Sequence, residues 1–142
     1  MKLHLGVIEY PYTDATGVTT GDVAEILEAK YHVIELFYQE LGDDVSKTLE
    51  LSAARAIQDL FAGAPPRSVS LTAEAEGEIE AAFRLFLDQR ELDGVVPGVP
   101  TQAAIRGVNH RLKHPYKKSN PERPSFVDTG TYQQSFKAWS EP

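Results

Sequence analysis

A chain of 142 residues, 42% hydrophobic and 25% charged, has the size and make-up of one folded domain, or one domain with an arm. It holds no cysteine, which excludes disulfides and thiolate metal sites, and no apolar run approaches the ~18 residues of a membrane span. The net charge of −7 is unevenly divided: residues 1–100 carry 7 Lys/Arg against 18 Asp/Glu (−11), and residues 101–142 carry 7 against 3 (+4).

That asymmetry predicts a basic tail lying on its own acidic domain, or a basic arm that docks on the acidic body of a neighbouring copy. It argues against nucleic acid as the main partner, because an acidic protein repels phosphates at long range. The opening MKLHLGVIEY lacks the apolar core of a secretion signal, so the expectation is a protein made in a cytoplasm, or assembled there into something larger.

Residues 2–10 read as a strand with Leu3, Leu5 and Val7 on one face and His4, Ile8 and Tyr10 on the other. Both faces are fairly apolar, which predicts cover on both sides. Pro11 ends it. TDATGVTTGD (13–22) is a loop, and Thr20 or Asp22 can cap a helix beginning at Val23. Val23, Ile26, Leu27, Tyr31, Ile34, Phe37, Tyr38 and Leu41 recur at steps of three and four, the signature of that helix. Gly42 breaks the run, and Asp43 or Asp44 caps a second one through Val45, Leu49, Ala53, Ile57, Leu60 and Phe61. The two runs fit one kinked helix or two.

Gly63 and Pro65-Pro66 stop the pattern. SVSL (68–71) is β-compatible. Thr72 opens a third helix whose early Glu74, Glu76 and Glu78 suit the positive end of the helix dipole, with Ile79, Ala82, Phe83, Phe86 and Leu87 as its apolar face. Gly94 stops it. A helix over 101–113 has Ala104, Ile105, Val108 and Leu112 on one side. After Lys113 three prolines and few aliphatics predict an extended arm. Its end carries Tyr132, Phe136 and Trp139, a density of aromatics that predicts docking on the chain's own domain or on a partner. Over 128–136 a short capped helix and a strand are both compatible.

The expected class is α+β: a mostly helical body with a small sheet, built from the N-terminal strand and short strands (1–113), and an extended basic Pro-rich arm with an aromatic docking segment (114–142).

Val127-Asp128-Thr129-Gly130 spells the triplet of aspartic proteases, which need two aspartates sharing a proton. The preceding body is helical, and too little chain remains after the triplet for a flap and further strands. The triplet therefore reads as a turn: Asp128 or Thr129 caps a short helix and Gly130 allows a tight bend. His110 and His114 have helical metal-site spacing, but Arg111 stands where a zinc protease needs Glu, and the surroundings are cationic, so no metal is expected. No phosphate-loop pattern occurs, no cofactor is implied, and no catalytic constellation emerges.

Several stretches, KLHLGVIEYPY, TTGDVAEILEAKYHVIE, DGVVPGVPTQAAIRGVNHRLKHPY and above all RPSFVDTGTYQQSFKAW, give the chain a family likeness. It resembles small structural proteins of tailed bacteriophages and prophages, in particular neck and tail-completion proteins, which form rings between portal and tail. The positions that match their terminal pattern are Asp128, Thr129, Gly130, Tyr132, Ser135 and Phe136. The resemblance implies a homo-oligomeric ring, hexameric or dodecameric, without catalysis, in which these are packing and turn residues. The pattern lies closer to the C-terminus than in tail-completion proteins.

The expected function is a virion protein of the neck, assembled in the host bacterial cytoplasm, that joins head to tail as a collar, connector or tail-completion subunit. Its partners would be copies of itself and neighbouring neck, portal-adaptor or tail proteins, with DNA passing nearby but not specifically bound, and no membrane. Arg106, Arg111, Lys113, Lys117, Lys118 and Arg123 would bridge to an acidic neighbour, and Tyr132, Phe136 and Trp139 would anchor the arm. Removing 115–142 is then expected to leave a folded domain that fails to assemble. The alternatives are a tail terminator or baseplate component, a nucleic-acid-binding phage protein using 101–113 and the arm, and a small hydrolase.

Overall fold

A computed structural model describes residues 1–12 and 16–141; residues 13–15 of the TDATGVTTGD loop lie outside the described residues. The elements are β1 (Lys2–Val7), α1 (Thr20–Tyr31), α2 (Val33–Phe61), a 3-10 turn (Pro66–Ser68), α3 (Ala73–Asp88), α4 (Gln102–Ile105), α5 (Thr131–Ser135) and β2 (Phe136–Glu141). The fold is α+β, with one two-stranded antiparallel sheet in which Lys2 faces Glu141 and Val7 faces Phe136.

The sheet joins the first and last elements and packs on α3, which in turn packs on α2. Leu3, Leu5 and Val7 point into the core. On the other face His4 stacks on Trp139 at 5.3 Å, and Trp139 stays 41% exposed. The expectation of cover on both faces is thus corrected: only one face meets the body, while Ile8 and Tyr10 are exposed.

α1 begins at a capping box. Thr19 Oγ1 accepts from the Asp22 amide, and the Asp22 carboxylate accepts from the Thr19 amide. The cap is therefore Thr19, one residue earlier than expected. Thr20, fully buried, donates to the Ile8 carbonyl at 2.6 Å and accepts from the Tyr10 amide at 2.7 Å, fixing the helix to the end of β1.

The long helical pattern breaks at His32, not at Gly42. His32 takes a left-handed conformation (φ 53°) between α1 and α2. Glu28 reaches across the break, and its two oxygens accept from the Ile34 and Glu35 amides, both at 2.9 Å. That satisfies two of the free donors at the start of α2. α2 then runs uninterrupted for 29 residues through Gly42. A glycine inside a helix costs only about 1 kcal/mol, and the buried stripe of Val33, Phe37, Val45, Ser52 and Ala56 continues on both sides of it.

α3 forms as its periodicity predicts, burying Ala75, Ile79, Phe83, Phe86 and Leu87. Its glutamates do more than favour the helix dipole. In the register of the sheet, the Ala138 and Ser140 amides point away from β1. Glu76 accepts from the Ser140 amide (3.0 Å) and hydroxyl (2.9 Å), and Glu80 accepts from the Ala138 amide (3.4 Å) and Lys137 Nζ (2.8 Å). Four residues of helix advance ~6 Å and two residues of strand ~6.7 Å, so an i, i+4 carboxylate pair matches the outward amides of Ala138 and Ser140. These two amides of the β2 edge are thereby satisfied by α3.

An aromatic cluster fills the space between these elements. Phe83 and Phe136 stack at 3.9 Å, and Phe37 stands edge-on to Phe83, Phe86 and Phe136 at 5.2, 5.5 and 5.8 Å.

Three further expectations are corrected. SVSL forms no strand; a 3-10 turn takes in its first residue and α3 comes after it. The helix over 101–113 is reduced to Gln102–Ile105, because Gly107 turns the chain with φ 68° and packs directly on the backbone of Asn120 and Pro121. The segment after 114 is not an extended arm throughout: Val127, Tyr132, Phe136 and Ala138 belong to the core.

Candidate functional site

The stretch 123–136 is where sequence reasoning concentrates its candidates, and the structure folds it against the loop 104–116. Arg123 donates from its amide to the Ala104 carbonyl and from its guanidinium to the Val108 and Pro124 carbonyls. Burial lowers its pKa, Asp128 opposes that, and Arg111 adds to it. Ser125 Oγ accepts from the Thr101 amide at 3.0 Å.

Asp128 is the centre of this contact. Oδ1 accepts from the His110 amide at 2.7 Å and Oδ2 lies 2.6 Å from His110 Nδ1. The other ring nitrogen, Nε2, is 2.9 Å from the Tyr116 hydroxyl. A carboxylate that orients an imidazole is half of a hydrolytic triad. Here the second nitrogen meets a phenol on the same loop, so one ring nitrogen ties the loop to the C-terminal segment and the other braces the loop internally.

Asp128 therefore caps no helix; it clamps a loop 18 residues away. The cap position of α5 is Gly130, left-handed at φ 83°, with the Arg111 guanidinium lying where a β-carbon would stand. Thr129 Oγ1 accepts from the amide of Thr131, the first residue of α5, at 3.3 Å, as the sequence reading allows for Thr129. The bend at Gly130 matches the sequence reading, while Asp128 as a cap does not. The distant partner could not be read from sequence, since nothing local marks His110 as the group that Asp128 holds.

The basic residues separate into two sets. Arg123 is half-buried and bound to its own backbone, so it is no free bridging group. Arg106, Arg111, Lys113, Lys117 and Lys118 are all exposed on 106–118, with no ion pair among the described residues. The aromatics separate likewise. Tyr132 and Phe136 are 4% and 0% exposed in the core of their own chain, whereas Trp139 stays on the surface beside His4. Gln133 is also buried and donates to the Arg84 carbonyl and the Asp88 carboxylate, at 2.8 and 2.9 Å, tying α5 to the end of α3.

Between α1 and this segment lies an open groove of about 780 Å³, lined among others by Val23, Leu27, Tyr31, Phe126, Asp128 and Tyr132. The Tyr132 hydroxyl is buried without a hydrogen-bond partner among the described residues. Burial, reinforced by Glu28 and then Tyr12, pushes its ionisation far above the ordinary tyrosine range. The folded state thus holds the phenol neutral while the unfolded chain releases its proton above pH ~10, so this group makes stability fall by up to about 1.4 kcal/mol per pH unit from there upward. Tyr132→Phe is expected to lessen that fall and to change neutral-pH stability by no more than about 1 kcal/mol, in the stabilising direction. Urea melts on either side of pH ~10 read both effects; a large loss at neutral pH would mean that the hydroxyl does have a partner.

Glu28, His32 and Glu35 lie close enough to hold a cation. Their positions already have a structural cause: Glu28 caps α2, and Glu35 pairs with His32 at 2.9 Å. No helix among the described residues is long and apolar enough to cross a membrane. No protein-family model, curated protein or solved structure matches the chain.

Proposed function

We propose that the protein is a structural subunit of a tailed-bacteriophage neck, a collar, connector or tail-completion component that assembles as a homo-oligomeric ring joining head to tail and catalyses no reaction. The observation that carries this reading is the exposed end of α2. Ile57 and Phe61, 47% and 89% exposed, stand one turn apart with Leu60 beside them. A soluble monomer gains nothing by placing a phenylalanine almost wholly in water at the end of a long helix, and a subunit that covers it on assembly does.

The charge distribution adds support. The helical body is acidic, and five exposed cations gather on 106–118. Of the residues that carry the resemblance, Gly130 turns the chain and Tyr132, Ser135 and Phe136 are buried, which is compatible with turn and packing roles, while Asp128 instead holds His110.

Purified full-length protein is expected to form rings in negative-stain micrographs, and a tagged copy should appear at the head–tail junction of purified particles. A protein that is monomeric at all concentrations and absent from particles would sink the proposal. Label at the tail tip would favour a baseplate component. A gel shift of DNA that persists at moderate salt would favour the nucleic-acid reading.

A further inference from the structure

The outer face of α2 carries a second stripe, opposite the buried one. Glu40, Asp43, Glu50, Ala54, Ile57 and Phe61, with Lys47 interrupting the acidic part, succeed one another at alternating steps of three and four and are all exposed. That spacing keeps them on one side of the helix over about 30 Å. The first half of the stripe is acidic and the second half apolar.

The same chain carries a surface of the opposite character. On the loop 106–118, Leu112 and Tyr116 are 40% and 73% exposed, among the exposed Lys113, Lys117 and Lys118. Tyr116 is exposed but held, its hydroxyl on His110 Nε2 and its ring edge-on to the imidazole at 5.4 Å. Asp128 in turn fixes His110. A solvent-facing tyrosine with its rotamer already fixed loses little entropy on docking, which suits an interface anchor.

We infer that the outer stripe of α2 in one copy docks on the 112–118 loop of the next, with lysines against the acidic half and Leu112 and Tyr116 against the apolar half. This rests on the ring reading and names its interface. The two patches are different parts of the chain, so the contact is head-to-tail, the type that closes into a ring rather than a two-fold dimer.

Because the chain has no cysteine, introduced thiols report the contact without interference. Ile57→Cys and Tyr116→Cys single variants of the full chain, mixed and mildly oxidised, should cross-link to each other far more than either does to itself. Lys117→Glu/Lys118→Glu should weaken self-association at least tenfold at low salt. Glu40→Lys/Asp43→Lys should restore association when mixed with it, with the melting temperature of each variant checked to confirm folding. If the wild type forms oligomers that the lysine reversals leave unchanged and the mixed thiols do not join, this interface is wrong while the ring stands. Self-linking of Ile57→Cys alone would put a two-fold contact in its place. A wild type that stays monomeric even at low salt and high concentration overturns the interface and withdraws the support it lends to the ring.

Discussion

Phe136→Ala is expected to lower stability by about 3–5 kcal/mol, and a chain cut before Ser125 is expected not to fold. Phe136 is fully buried, stacked on Phe83 and met edge-on by Phe37. It also begins β2, so its ring joins the sheet to both long helices. Total stability of a domain is commonly ~5–15 kcal/mol, so this single truncation removes a large share of it. Cutting the segment removes more: Val127, Tyr132 and Ala138 from the core, the pairing partner of β1, and the strand that Glu76 and Glu80 cover. Their carboxylates would face an empty edge, and Leu3, Leu5 and Val7 would lose their strand. The sequence alone points the other way, to a body (1–113) that folds without the arm, the arm being needed only for assembly. Urea unfolding of Phe136→Ala and circular dichroism of the truncated chain decide between the two. A cooperative melt in the truncated protein would show that helices α1 to α3 suffice.

That reversal marks the boundary of what the residues reveal by themselves. The apolar spacing of α3 and of the second half of α2 is strong and local, so both helices are legible. The break at His32 is not, because a histidine in the left-handed region carries no sequence signal while Gly42 carries a misleading one. The buried stripe through Phe37 and Val45 overrides the glycine. The pairing of β1 with β2 joins Lys2 to Glu141 and Val7 to Phe136, nearly the whole chain apart, and no periodicity predicts a partner at that distance. The glutamates of α3 show the same limit. Glu76 reads as dipole-favouring surface charge and Glu80 has no sequence reading, yet their spacing fits the amides of a strand, a use that only the fold reveals. Of the candidate site, the turn at Gly130 and the exposed cations on 106–118 are readable from sequence. The burial of Tyr132 and Phe136 and the clamp from Asp128 to His110 depend on tertiary contacts and are not.

Gly107→Ala is the substitution that separates the surface loop from the core. Gly107 sits at φ 68°, where a side chain costs about 1–2 kcal/mol in backbone strain. A β-carbon there would also lie 2.5 Å from the Pro121 carbonyl oxygen and 2.6 Å from that of Asn120. Both are backbone atoms, so neither can swing aside as a side chain would, and overpacking of this kind adds roughly 1–3 kcal/mol. The chain relieves the overlap most cheaply by parting 107 from 120–121, which releases the loop between them. That loop carries Leu112, Tyr116 and the lysines, while α1, α2, α3 and the sheet contribute the aromatic core. The expected result is a protein with unchanged helical content, a melting temperature lower by roughly 10 °C, faster amide exchange over 109–123, and impaired self-association. Phe136→Ala, by contrast, should weaken the whole molecule together. If Gly107→Ala assembles normally despite rapid exchange in the loop, an ordered 112–118 surface is not what the neighbouring copy recognises.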